Sequence, residues 1–278
     1  MTMSGSPNRV SPLPNLVISH EDYALLARLI AGGRTPRVEG QVQNRMGSSP
    51  VQQWNTVAEI RGTERPGQVV ILGAHLDSWD LGTGVTDNGT GSMVVLEAAR
   101  IIAKSGLKPK RSVRFILFSG EEQGLLGSRA YAAAHENEAD SIQAVLVLDN
   151  GTGAVTGQAL QGRTDLAYLW KQLLAPVASL GADSVREASK MGTDHLSFLP
   201  YGVPGFNFDQ LTRGYNHTHH SQSDTYDKAV AGDLKQASAV MAVTAWELAN
   251  LPELLPRGPK SPVVPVPTKP SPGLAVGR

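Results

Sequence analysis

Three short segments made almost entirely of apolar residues constrain the fold of this 278-residue chain more than any other feature. They are VVILGA at 69–74, RFILF at 114–118 and AVLVL at 144–148. Amphipathic helical patterns alternate with them, over about 91–104, 125–136, 165–180 and 233–251. Continuous apolar strands between amphipathic helices are typical of a mainly parallel sheet that is covered on both faces. The alternation therefore predicts an α/β fold.

Weaker patterns organise the rest of the chain. Apolar spacing within 20–33 predicts a helix that ends at a glycine pair, and 54–75 has the pattern of two strands around a Pro-Gly turn, which predicts a β-hairpin. Both ends are polar or proline-rich and lack apolar periodicity. We therefore expect tails at 1–15 and 257–278 around a catalytic domain at 16–256.

Charge and composition exclude several kinds of partner and site. The 25 basic and 25 acidic residues cancel, so we expect neither nucleic acid nor a membrane as a partner. Cysteine is absent, and any metal site must therefore use His, Asp and Glu. The first residues lack the pattern of an export signal, and no apolar run approaches the length of a spanning helix. The sequence thus predicts a soluble chain without its own signal peptide.

Polar side chains follow each of the three apolar segments. VVILGA leads into His75 and Asp77, RFILF leads into Glu121 and Glu122, and AVLVL leads into Asp149. Ligands of open α/β sheets bind at the carboxyl ends of the strands, where these groups are expected to meet. Acidic groups gathered at one edge would repel one another unless a cation lay between them. Asp77 is also placed to accept the second ring N–H of His75 and to fix its tautomer.

Two further clusters carry candidate ligands. Asp87 lies in TDNGTG, which is also a good turn signal, and His217, His219 and His220 lie within four residues of one another. Each candidate has an ordinary explanation as well: a loop histidine, a helix cap, or the solvated pair that adjacent glutamates commonly form. The sequence leaves open which histidine of the cluster would take part.

The candidates together favour a site for two metal ions. His75, one histidine of the cluster, Asp87, Glu122 and Asp149 are too many ligands for one tetrahedral zinc, but they suit two cations that share a carboxylate. Side chains of adjacent residues in an extended segment point apart, so Glu122 can bind metal while Glu121 faces the substrate. The pattern predicts a dinuclear hydrolase with Glu121 as its general base.

Five motifs in order resemble those of the dizinc exopeptidases. The motifs are GAHLDSWDLGTGVTDNGTG, FSGEEQGLLGSRAY, VLDNGTG, GTDHLSF and HHSQSDT, and they extend over roughly residues 54–256. The family, metallopeptidase family 28, includes bacterial zinc aminopeptidases. HLDSWD and HHSQSDT resemble its plasma glutamate carboxypeptidase, or carboxypeptidase Q, branch. The resemblance implies an aminopeptidase-like three-layer sandwich, similar to phosphorylase/hydrolase-like folds, with a mixed, mainly parallel central sheet.

The resemblance also assigns the ligands of two zinc ions, for which cobalt or manganese could substitute. It implies that His75 and Asp149 hold one ion, that Glu122 and His220 hold the other, and that Asp87 bridges them. His220 is selected because the family's last ligand precedes a Ser or Thr and stands four residues before an Asp. The peptide bond after the bridging aspartate is cis in relatives, so we expect a cis bond between Asp87 and Asn88.

The implied reaction is hydrolysis of dipeptides or short peptides by a hydroxide that bridges the zinc ions, with Glu121 as the general base. Many relatives have an oxyanion-stabilising tyrosine at the position of His219, which would take over that role here. Residues 16–45 resemble the end of a protease-associated domain whose remainder is missing. The resemblance further implies a secreted or extracytoplasmic location and is compatible with a homodimer. The alternative is a weakly active or inactive metal-binding, receptor-like module of the same fold.

Overall fold

A mixed seven-stranded sheet forms the centre of the part of the chain that this computed structural model describes, residues 16–43, 51–80 and 82–263. The strands are β1 (Thr56–Ile60), β2 (Arg65–His75), β3 (Arg111–Phe118), β4 (Ile142–Val147), β5 (Val155–Ala159), β6 (Ser184–Arg186) and β7 (Gly205–Gln210). Their order is β1-β3-β2-β4-β7-β5-β6, and the four strands β3, β2, β4 and β7 are parallel. The mixed, mainly parallel sheet that the sequence predicts is confirmed.

Helices cover both faces of this sheet. The α-helices of the described ranges are α1 (His20–Ala31), α2 (Thr90–Ser105), α3 (Leu126–Ala134), α4 (Ala167–Leu174), α5 (Tyr215–Thr218) and α6 (Ala231–Asn250). Helices α2, α4 and α6 pack over one face, whereas α3 and the short turns near Phe198 and Tyr201 pack over the other. The result is a three-layer α/β sandwich.

The central strands contain continuous apolar runs because both of their faces are buried along those runs. In β2, the side chains of Val70 and Leu72 join the core beneath α2 and α6, and those of Val69 and Ile71 join the core beneath α3. Side chains alternate between the two faces of a strand, so a segment covered on both sides favours consecutive apolar residues. The same alternation in β3 and β4 explains why these three segments were the clearest signals in the sequence.

The predicted hairpin over 54–75 is wrong. Both strands exist, but β3 lies between them, antiparallel to β1 and parallel to β2. The connection after β1 is held by the segment that precedes β3, since the backbone N–H of Thr63 donates to the carbonyl of Pro109 at 3.0 Å. Pro66 and Gly67 lie inside β2 and form no turn. Strand patterns in a sequence reveal the strands but leave their partners undetermined.

The first and last described segments of the chain differ in how they contact the domain. Helix α1 has no buried residue. After residue 256 the chain continues along the domain, because Gly258 N–H donates to the carbonyl of Gly202 at 2.9 Å and Ser261 N–H donates to that of Pro200 at 3.0 Å. The expected tails at 1–15 and from 264 onward lie outside the described residues. None of the helices in the described ranges has both the length and the apolarity needed to cross a membrane.

Candidate metal centre

Three neighbouring parallel strands deliver candidate ligands to one edge of the sheet. His75 is the last residue of β2, Glu121 and Glu122 follow β3, and Asp149 follows β4. Because β2 lies between β3 and β4, these segments are adjacent at their carboxyl ends. The structure thus brings together the polar groups that the sequence places after the three apolar segments.

The first group of ligand atoms surrounds the imidazole of His75, which is completely buried. Its Nε2 atom lies 3.3 Å from Asp87 Oδ1 and 3.4 Å from Asp149 Oδ1. Neither His75 Nε2 nor Asp149 Oδ1 has a hydrogen-bond partner of normal geometry. Buried polar atoms are rarely left unsatisfied, so this convergence fits the donor set of a cation.

The second group surrounds the other oxygen of the same carboxylate. Asp87 Oδ2 lies 3.4 Å from His220 Nε2 and 3.7 Å from His219 Nε2. His220 Nε2 is also 2.8 Å from Glu122 Oε2. Asp87 therefore presents one oxygen to each group, which is the arrangement that a ligand shared by two ions requires.

Asp87 reaches this position from a tight turn that precedes α2. The turn spans Val85–Gly89, and the peptide bond between Asp87 and Asn88 is cis, as we predicted. The Asn88 side chain donates to the carbonyl of Leu148 at 2.9 Å and accepts from the N–H of Gly91 at 3.1 Å. The first bond attaches the turn to the end of β4, next to Asp149, and the second attaches it to the first turn of α2.

Asp77 acts on different atoms from those that we predicted. Its carboxylate is 3.9 Å from His75 Nδ1, too far for a hydrogen bond, and the backbone carbonyl of Asp77 lies 3.0 Å from that atom instead. The carboxylate accepts from the backbone N–H groups of Glu121, at 3.1 Å, and Glu122, at 3.2 Å. Asp77 thus orients His75 through its main chain and holds the glutamate pair through its side chain.

The two glutamates lie in a turn, although we predicted an extended segment. The turn forms because Gly120 has a φ of +71° and the carbonyl of Glu121 accepts from Gly124 and Leu125 N–H, both at 2.8 Å. Glu122 reaches His220, whose Nε2 atom lies 2.8 Å from Glu122 Oε2. The side chains of both glutamates line one cavity. The division of roles that the sequence predicts is compatible with this geometry.

The electrostatics of the site are dominated by its buried carboxylates. Burial, with a contribution from the charge of Asp149, raises the pKa of Glu121 to about 10. Burial alone would lower the pKa of His75, but the adjacent Asp149 carboxylate raises it well above its usual value. Burial would likewise raise the pKa of Asp149, and His75 lowers it instead. A cation at this edge would relieve the repulsion between these carboxylates.

A cavity of about 510 Å³ opens over the site and is lined partly by residues that our sequence analysis missed. They include Leu125, Asn150, Met191, Thr193 and Tyr215. The Tyr215 ring packs against His219 with the ring centroids 5.1 Å apart. The sequence did contain a signal for Tyr215: it lies four residues before His219, and this spacing puts both side chains on one face of a helical turn.

Burial and the carboxylates of Asp149 and Asp87 raise the pKa of Tyr215 far above its usual range. The aspartate and histidine of GTDHLSF, Asp194 and His195, are completely buried beside the cavity wall. Burial raises the pKa of Asp194 to about 7 and lowers that of His195 to about 4. His217, the third histidine of the cluster, is exposed and lies outside both ligand groups.

Comparison with known proteins identifies relatives of this chain among peptidases. Carboxypeptidase Q of Xenopus laevis is 34% identical over 254 residues, which are 90% of this chain and 53% of that protein. A peptidase M28 precursor from Shewanella amazonensis superposes with a TM-score of 0.69 at 34% identity, covering 74% of this chain and 47% of the other. A zinc aminopeptidase from Bacillus subtilis has a TM-score of 0.59 at 25% identity, covering 69% and 49%.

These relatives are longer proteins, and this chain spans about half the length of each. The resemblance to the carboxypeptidase Q branch and the aminopeptidase-like fold that it implied are both confirmed. Residues 55–245, which carry every candidate ligand, match the family description "Peptidase family M28". The chain is therefore a member of peptidase family M28.

Proposed function

We propose that this chain hydrolyses dipeptides or short peptides with two metal ions and with Glu121 as the general base. The observation that carries the proposal is the position of Asp87, whose two carboxylate oxygens face two separate groups of ligand atoms. One ion would be held by His75 and Asp149, the other by Glu122 and His220, and both by Asp87.

Zinc is the proposed metal. The donors are imidazole nitrogen and carboxylate oxygen, which zinc accepts readily, and a zinc aminopeptidase is among the structural relatives. Cobalt or manganese would be expected to bind the same donors. When bound, the two ions would polarise the scissile carbonyl and make water nucleophilic at neutral pH.

The remaining roles fall to side chains that line the cavity. Glu121 would take a proton from the attacking water and deliver it to the leaving amine. Asp77 would keep Glu121 in place, because it accepts the backbone N–H of that residue. His219, whose side chain is 42% exposed, would donate to the developing oxyanion.

The charge of the cavity favours recognition of the peptide's amino end. Four carboxylates line it, and none of the lining residues that the structure describes is Lys or Arg. A free C-terminal carboxylate is usually bound by a cationic side chain, most often arginine, and the described lining offers none; the lining carboxylates themselves are assigned to the two ions and to the base. We therefore propose an aminopeptidase or dipeptidase, and a secreted or extracytoplasmic location by analogy with carboxypeptidase Q.

The test combines metal analysis with a panel of blocked and free dipeptides. We expect about two zinc ions per chain and cleavage of dipeptides that have a free amino terminus, including those with an amidated carboxyl terminus. N-acetylated dipeptides should be poor substrates. Cleavage of N-acetylated dipeptides alone would refute recognition of the amino end. A protein that binds two ions and cleaves no peptide would instead support the binding-module alternative.

A further inference from the structure

Asp224 connects the segment that carries His220 with the turn that carries Asp87, the carboxylate shared by the two ligand groups. It lies four residues after His220 and is 3% exposed. Its carboxylate accepts from the backbone N–H of Thr86 at 2.7 Å and from that of Asp87 at 3.0 Å. A buried carboxylate whose hydrogen bonds go to the turn that carries a ligand fixes the position of that turn.

Further contacts join the same two segments. The N–H and hydroxyl of Thr83 donate to the backbone carbonyl of Asp224 at 2.7 and 3.1 Å, and the hydroxyls of Thr86 and Thr218 are 2.7 Å apart. The backbones approach so closely that a Cβ atom on Gly82 would lie 2.7 Å from the carbonyl oxygen of Ser221. The contact is too close for any residue other than glycine.

The segment around His220 needs such support. His220 has a φ of +51°, in the left-handed region that residues other than glycine rarely adopt. Local bonds stabilise the turn: Ser223 N–H donates to the Ser221 hydroxyl at 3.1 Å, and the Ser223 hydroxyl donates to the carbonyl of His217 at 2.8 Å. These bonds shape the loop, and the contacts through Asp224, Thr83 and Thr86 hold it against the turn that carries Asp87.

We propose that Asp224 is a positioning residue that sets the distance between Asp87 and His220 by clamping their two segments together. The inference rests on the proposed function, in which these residues share one of the two ions. The other ion depends less on the clamp, because His75 and Asp149 are held at the ends of β2 and β4. Asp224 should therefore control the two metal affinities unequally.

The test is the substitution Asp224→Asn. An amide has one accepting oxygen and presents N–H groups in place of the other, so it cannot accept from both backbone N–H groups. In the metal-free protein, the amide hydrogens of Thr86 and Asp87 should exchange faster than in wild type. In a stepwise zinc titration, one of the two affinities should fall by roughly 10–100-fold while the other changes little.

Asp209→Asn is the matched control. Asp209 is 4% exposed and pairs with Arg186 Nε at 2.8 Å and with Lys190 Nζ at 3.0 Å, outside the two segments that Asp224 joins. This variant should lose stability but keep the wild-type ratio of the two affinities. If Asp224→Asn behaves in the same way, or weakens both affinities equally, the positioning role is overturned. A wild type that binds fewer than two ions would instead overturn the proposed two-metal function.

Discussion

The carboxylate of Asp77 accepts the backbone N–H of Glu121 at 3.1 Å, so the residue just after His75 and Leu76 holds the proposed base in place. Its other oxygen accepts the N–H of Glu122 at 3.2 Å. The ends of β2 and β3 are thereby connected through one side chain. A single substitution at position 77 should consequently affect ligands and base together.

We expect Asp77→Asn to lower kcat by roughly 10–100-fold, the usual effect of removing a group that orients a metal site. The amide would accept from one of the two N–H groups and repel the other. Steady-state kinetics with a dipeptide would measure the loss. Asp80→Asn, in the same loop but exposed, serves as the control and should be near wild type. Equal rates in both variants would show that the two hydrogen bonds have no role in turnover.

Glu121→Gln should separate the base from the ligands. The glutamine keeps the shape of the side chain but cannot take a proton, so hydrolysis should fall by roughly 10²–10⁴-fold with full zinc content. Glu122→Gln should lose zinc and activity together, because its carboxylate faces His220. Atomic emission analysis beside kinetics measures both effects. A zinc-replete Glu121 variant with an unchanged rate would mean that another group is the base.

The parts of the fold that the sequence predicts well are those with strong periodicity. Strands β2, β3 and β4 are buried on both faces, and the residues after them line the edge where ligands were expected. Shorter and more polar strands carry weaker patterns, and β5, β6 and β7 were missed. The hairpin was mispredicted because pairing depends on which strand covers the edge of β2, and that is decided by contacts distant in sequence.

A similar limit applies to the site. His75, Glu122 and Asp149 could be located because each follows a strand. The resemblance was needed to choose His220 from its cluster, since spacing alone does not distinguish three neighbouring histidines. The contacts of Asp77 and Asp224 could not be predicted at all, because both carboxylates bind backbone N–H groups, which every non-proline residue carries.

Acid should remove the contribution of neutral His195 to the stability of the metal-free protein, in opposition to Glu121 and Asp194, whose raised pKa values favour the folded state in acid. The pKa of His195 is lowered by burial to about 4, against 6.5 for an ordinary histidine, so the unfolded chain takes up a proton at a pH where the folded protein does not. The stability that neutral His195 contributes is fully present above pH 6.5 and is lost as the pH falls toward 4. His195 contributes up to about 1.4 kcal/mol per pH unit to the slope of the unfolding free energy against pH.

Chemical denaturation of the chelated protein between pH 4 and pH 7 would measure this slope. As the pH falls, the unfolding free energy of His195→Gln should change in the stabilising direction relative to wild type, by up to about 1.4 kcal/mol per pH unit, whereas His20→Gln, at an exposed position, should keep the wild-type slope. If the His195 variant retains the full slope, other groups account for the acid sensitivity.

The two adjacent histidines should differ in what they contribute. His220 Nε2 is 2.8 Å from Glu122 and 3.4 Å from Asp87, so His220→Ala should remove one zinc ion and abolish turnover. His219→Phe should keep both ions and mainly lower kcat. A phenyl ring preserves the stacking on His220, whose centroid is 3.8 Å away, and the edge contact with Tyr215, but it cannot donate to an oxyanion. Zinc content and kinetics of the two variants test the distinction, and an equal loss of zinc in both would refute the choice of His220 as the ligand.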